Sequence, residues 1–200
     1  MKFPDNVEQL RELSPDFMGM IFYEKSSRNV GDSLEANRIK ALSHPQKIGV
    51  FVNAEKEFML KKAEDFGLDY LQLHGQETPR LCKELQERGI GIIKVFSVGN
   101  GFDFSILKDY ESYVDFFLFD TKGKHPGGNG VVFNWDILNQ YPSHVPFFLS
   151  GGISLENAGA IPNHPRLYAI DVNSKFELSP GLKNIEQLKE LKKQMATAQA

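Results

Sequence analysis

Val145-Pro-Phe-Phe-Leu-Ser-Gly-Gly-Ile-Ser-Leu-Glu-Asn157 passes from an apolar run through paired glycines into a short helical pattern. The apolar part suits a strand buried on both faces, as in a parallel sheet covered by helices. Paired glycines let the backbone come close to a ligand, and N–H groups opening a helix favour an anion. A second polar segment, Asn173-Ser-Lys175, follows the next apolar run and adds a hydroxyl and further N–H donors. Together they read as a phosphate cradle; singly, each also reads as an ordinary turn. (β/α)8 barrels place phosphate sites after their late strands. A dinucleotide fold instead needs G-x-G-x-x-G after the first strand, and this chain has none there. The barrel is the expected fold.

Working outward, strand-like runs lie at 17–22, 47–52, 70–73, 91–96, 114–119, 145–149 and 167–172. Amphipathic stretches separate them: 5–13, 33–42, 54–66, 78–88, 154–160 and 184–194. Thr78 and Pro79 make a clear helix start, as N-cap and first helical residue. Strict alternation of strand and helix indicates parallel β/α units. The chain opens on a helix, so the count is one strand short of eight. With no linker-like shift in composition, residues 1–195 form one domain and 196–200 a frayed tail.

Acidic residues number 26 and basic ones 23, a net charge of −3, which argues against a nucleic-acid or membrane-surface partner. No apolar run reaches the roughly 20 residues that span a bilayer, and the first residues carry no signal-peptide pattern. One cysteine excludes an internal disulfide framework. These features predict a cytoplasmic enzyme-sized domain. The histidines show no ligand spacing, so no metal is assigned.

The chemistry-bearing residues follow the predicted strands, the end of an α/β sheet where active sites gather. Asp120 closes Phe116-Phe-Leu-Phe119, where desolvation would raise its pKa toward the range of a general acid; a turn cap is an even alternative. Arg28 is a candidate clamp for a carboxylate, or a solvated surface charge. His74 could donate to substrate, and a structural histidine at a strand end is at least as good a reading. Lys94 and Asp171 are charges inside strand patterns and would suit an internal pair. Cys82 sits within a helix and reads as packing.

At this point the chain resembles phosphoribosylanthranilate isomerase. The matching stretches are Asp16 to Arg28, Gly49-Val-Phe-Val-Asn53, Leu71-Gln-Leu-His-Gly75, Ile93-Lys94, Phe119-Asp-Thr121 and Gly127-Gly-Asn-Gly130. Phe133-Asn-Trp135, Leu149 to Ile153, Glu156-Asn157 and Ile170-Asp-Val-Asn-Ser174 continue them in family order. The resemblance implies a (β/α)8 barrel that rearranges N-(5-phosphoribosyl)anthranilate to 1-(2-carboxyphenylamino)-1-deoxyribulose 5-phosphate in tryptophan biosynthesis. It implies no cofactor, and a small phosphate ester as the ligand. Asp120 would be the general acid and Arg28 the anthranilate clamp. Gly151, Gly152, Asn173, Ser174 and Lys175 would hold phosphate, and His74, Gly127, Gly128 and Asp171 would complete the substrate site. Oligomeric state is not implied, since the family includes monomers, dimers and fusions.

Three departures stand out. Ser27 replaces the family's proline beside Arg28. Asn173-Ser174-Lys175 replaces Ser-Ser-Gly, losing glycine's freedom at positive φ. Third, the family's first strand, with the cysteine that acts as general base, has no counterpart here. The expectation is a misplaced start codon or a truncated chain, with exposed edges at the strands of residues 17–22 and 167–172 and impaired turnover. Competing readings are another sugar-phosphate barrel, such as indole-glycerol-phosphate synthase, and a non-catalytic phosphate-binding barrel.

Overall fold

Each apolar run forms a strand within two residues of its expected limits. The computed structural model describes residues 1–99, 101–121 and 135–198. Its strands are β1 (Phe17–Ile21), β2 (Gln46–Phe51), β3 (Tyr70–Leu73), β4 (Gly91–Val98), β5 (Phe116–Thr121), β6 (Phe147–Ser150) and β7 (Leu167–Ile170). They pair in chain order and all in parallel, with registers such as Gly19↔Ile48, Ile48↔Tyr70 and Leu71↔Ile92. Parallel pairing needs a crossover after every strand, and the helical segments supply it. The helices are α1 (Pro4–Glu12), α2 (Ala36–Lys40), α3 (Lys56–Phe66), α4 (Pro79–Gln86) and α5 (Ile185–Ala198). Thr78 caps α4 as expected, its hydroxyl accepting from Leu81 N–H at 3.3 Å.

The core divides by sheet face. Met20, Phe51, Leu71, Ile92, Phe117, Phe119 and Phe147 pack with the helices in one large cluster. Ile48, Ile93, Val95, Phe116, Leu118 and Phe148 form a second cluster, with Phe17 and Tyr70 against it. The alternation of Ile92 with Ile93, and of Phe117 with Phe116 and Leu118, is the two-residue period of a strand buried on both faces. In the second cluster the Phe17 ring of β1 lies 5.0 Å from Phe148 of β6 and 6.2 Å from Tyr168 of β7. The sheet is therefore curled, and its two ends face each other across an aromatic plug.

No backbone ladder joins β1 to β7 among the described residues, and the sheet order runs from one to the other as open ends. Among the described residues this is the (β/α)8 barrel with one strand fewer, as the strand count predicts. The amino group of Met1 donates to Gly19 O at 2.5 Å on the open side of β1.

Three expectations need correction. The 33–42 helix shrinks to α2, because Ser33 N–H turns back onto Val30 O at 2.9 Å. The expected 154–160 helix is a turn followed by one 3-10 turn at Ala158–Ala160, because Asn157 Oδ1 accepts from Ser154 N–H at 2.8 Å. The closing helix, expected over 184–194, runs as α5 to Ala198. One element was not expected at all: an antiparallel hairpin of β8 (Glu177–Ser179) and β9 (Leu182–Lys183) about Pro180-Gly181. Buried Asn6 of α1 holds it from both sides, accepting from Lys183 N–H at 2.6 Å and donating to Lys183 O at 3.1 Å.

Candidate active site

A cavity of about 850 Å³ opens among the carboxyl ends of the strands. Arg28, His74, Asp120, Gly151, Gly152, Asp171, Asn173, Ser174 and Lys175 line it, so the predicted site residues that the structure describes share one space. Gly127 and Gly128 lie outside the described residues. The cavity runs on between β1 and β7 down to Phe17 and Phe148, with Met1 and Leu188 at its side. Part of its volume is therefore the gap in the sheet.

Asp120 projects from β5, largely buried, with its Oδ2 3.5 Å from His74 Nε2. That is too long for a strong hydrogen bond and close enough for the carboxylate to attract an imidazolium. His74 directly follows β3, and its N–H donates to Phe51 O at 2.8 Å. The loop behind it is held by Glu77, which accepts from Asn53 N–H at 2.8 Å and from Gly75 N–H at 2.9 Å. A Cβ on Gly75 would come within 2.3 Å of Asn53 Oδ1 and 2.7 Å of the Asn53 backbone nitrogen, so this close approach requires glycine.

The suggested pairing of Lys94 with Asp171 does not form. Lys94 Nζ lies 3.0 Å from Glu77 Oε2 and donates to Leu73 O at 3.0 Å and Gly75 O at 2.8 Å. Its side chain serves the loop leading to α4, while Asp171 lines the cavity. Asp171 N–H donates to Leu149 O at 2.8 Å, fixing the carboxylate at the rim. Burial raises the Asp171 carboxyl above its ordinary value, against the pull of Lys183 and His74.

Arg28 is not a solvated loop charge. Its Nε donates to both oxygens of Glu177, at 3.1 and 2.8 Å, and its Nη2 to Oε2 at 2.6 Å. Glu177 also accepts from Gly181 N–H at 3.0 Å and from Lys183 Nζ at 3.3 Å. Lys183 reaches on to Asn173 Oδ1 at 2.7 Å. Desolvation works to raise the Glu177 carboxyl, but the bonds from Arg28 and the charge of Lys183 outweigh it and hold it below its ordinary value. Sequence reasoning missed Glu177, Lys183 and Glu77. The usable signal for the first two was Pro180-Gly181, a tight-turn dipeptide that brings the residues on either side together.

Gly151 and Gly152 adopt φ of +97° and +70°, which side-chain-bearing residues rarely tolerate. No full helix follows them, so no helix dipole stands behind this turn. Lys175 does not adopt positive φ. Among the described residues, only Ser14 and Asn53 are non-glycine positions at positive φ. Cys82 is buried in α4, and desolvation pushes its thiol up to about 11. It stays a packing residue.

A curled parallel sheet with its polar groups gathered at the carboxyl ends of the strands is the architecture of a β/α-barrel enzyme. The chain belongs to the N-(5'-phosphoribosyl)anthranilate isomerase family: the family described as N-(5'phosphoribosyl)anthranilate (PRA) isomerase matches residues 4–194. It is 47% identical over 194 residues to the N-(5'-phosphoribosyl)anthranilate isomerase of Parabacteroides distasonis, covering 94% of this chain and 87% of that protein. The fold is similar to the crystal structure of phosphoribosyl anthranilate isomerase from Thermotoga maritima. There the TM-score is 0.86 at 32% identity, over 98% of this chain and 96% of that one. It is also similar to a phosphoribosyl anthranilate isomerase in complex with reduced 1-(o-carboxyphenylamino)-1-deoxyribulose 5-phosphate, at TM-score 0.81 and 31% identity, over 96% and 93% of the two chains.

Proposed function

We propose that the protein isomerises N-(5'-phosphoribosyl)anthranilate to 1-(2-carboxyphenylamino)-1-deoxyribulose 5-phosphate, as a cytoplasmic enzyme of tryptophan biosynthesis. The observation that carries this reading is one cavity lined by an acid, Asp120, a guanidinium, Arg28, and the glycine and polar turns at 151–152 and 173–175. These groups match the ring oxygen, the carboxylate and the phosphate of that substrate. Asp120 gives its proton to the ribose ring oxygen as the C1'–O bond breaks and the aniline nitrogen forms the imine. A general base must take the C2' proton to give the enolamine, and Cys82, buried in α4 outside the cavity, does not fill that role. The enolamine then tautomerises to the ketone, so hydrogen moves from C2' to C1' and no external oxidant is used. His74 steadies the Asp120 carboxylate once its proton has left.

Consumption of the fluorescent substrate tests the reading. Asp120→Asn is expected to lower turnover by about 10² to 10⁴, the usual contribution of a positioned acid. Near-normal turnover in that variant removes Asp120 from the mechanism. A second reading rests on the single cysteine lying in α4 away from the cavity: a barrel that binds the ester without converting it. Binding of the reduced product analogue with no consumption of substrate selects that reading.

A further inference from the structure

The hairpin β8–β9 supplies two side chains to the cavity that neither strand periodicity nor loop composition marks, Glu177 and Lys183. Arg28 turns its Nε and Nη2 edge wholly onto the Glu177 carboxylate, with three contacts between 2.6 and 3.1 Å. A guanidinium has five donors in a flat fork, so this grip leaves the Nη1 edge for another acceptor. Among the described residues Nη1 makes no hydrogen bond, and Arg28 lines the cavity.

Glu177 itself is not available to move aside. Its side chain is 3% exposed and takes further bonds from Gly181 N–H and Lys183 Nζ. The hairpin that carries it is fastened to α1 through the two-way bond between Asn6 and Lys183. A carboxylate so held acts as a fixed rest for the guanidinium rather than as a rival for it. Lys183, by balancing the second oxygen, keeps one arginine from exhausting the acid, and its bond to Asn173 joins this rest to the turn at 173–175.

We infer that Glu177 is a positioning residue that aims Arg28 at the carboxylate of the substrate, so that the hairpin sets selectivity for carboxylate-bearing phosphate esters. The inference rests on the proposed function for the place of Arg28. A long arginine side chain without such a rest samples many rotamers, and ordering it would be charged against each binding event.

The test measures calorimetric affinities of two ligands: reduced 1-(o-carboxyphenylamino)-1-deoxyribulose 5-phosphate and the same molecule lacking its carboxyl group. The unaltered protein is expected to prefer the carboxylate roughly tenfold to hundredfold, as for a charge-assisted pair. No preference there overturns the assignment of Arg28, and the inference with it. Glu177→Gln is expected to lower that preference at least tenfold while affinity for the carboxyl-free ligand changes less than threefold. Equal losses for both ligands mean a merely structural glutamate and overturn the inference. A stronger preference in the variant overturns it too, since Glu177 would then be a competitor of the substrate. Glu177→Asp keeps the buried charge beside Lys183 but draws it back from Arg28. If Glu177→Gln does not fold, the same ratio is read on Glu177→Asp, with the same expected loss and the same overturning results.

Discussion

Two buried glutamates, Glu77 and Glu177, each hold a cation beside the cavity, and they do opposite work. At Glu77 both partners are sealed, with side chains 1% and 2% exposed, and Lys94 spends its donors on Glu77 and on the carbonyls of Leu73 and Gly75. At Glu177 the acid is equally buried, but its partner Arg28 is 26% exposed and faces the cavity. The first pair has no donor left for a ligand and serves as a rivet for the loop that carries His74. The second leaves one edge of a guanidinium open. Whether a buried ion pair is structure or site is thus decided by the unspent donors, not by the depth of the acid.

The sharpest way to break this contrast is to remove the lysine of the sealed pair. Lys94→Met leaves an uncompensated carboxylate in the core and is expected to cost about 3–5 kcal/mol, read as a lower urea midpoint. A loss under about 1 kcal/mol would mean that the pair is not a rivet. Adding Glu77→Leu should recover only part, because the N–H groups of Asn53 and Gly75 lose their acceptor. Gly75→Ala strains the same loop without touching a charge, and about 1–3 kcal/mol is expected from its overlap with Asn53. Wild-type stability in that variant would show that the loop gives way.

The smallest effect lies at the open pair and is read against pH. Bonding to Arg28 and Lys183 holds the folded Glu177 carboxyl below its ordinary value of 4.5. Its stabilisation is therefore complete above that value and drains away as the pH falls through the folded one. The difference in urea midpoint between the protein and Glu177→Gln should shrink as pH drops below 4.5. A difference that stays constant to lower pH would separate Glu177 from the charge network.

The contrast also shows where the sequence was readable. Strands buried on both faces are short apolar runs, so Phe116-Phe-Leu-Phe119 and Tyr70-Leu-Gln-Leu73 declare themselves locally. Residues directly after those strands were legible as site candidates because parallel topology sends every such position to one end. His74 and Asp171 follow that rule, Asp120 sits within the last two residues of β5, and the glycines at 151–152 declare a backbone that other residues resist. The ion pairs were not legible. Arg28 and Glu177 meet across 149 residues, through a hairpin whose short strands carry no alternation to detect. Lys94 was matched to Asp171 because both lie in strand patterns. Its true partner sits before α4, on the loop that the lysine holds.

The cavity is lined both by a guanidinium held by the hairpin and by the turns at 151–152 and 173–175. A crystal structure of the protein with reduced 1-(o-carboxyphenylamino)-1-deoxyribulose 5-phosphate tests this directly. The predicted result has the carboxylate on Arg28, the phosphate on the turns at 151–152 and 173–175, and Asp120 against the sugar oxygens between them. A phosphate seated on Arg28, or a ligand bound away from Asp120, would contradict it.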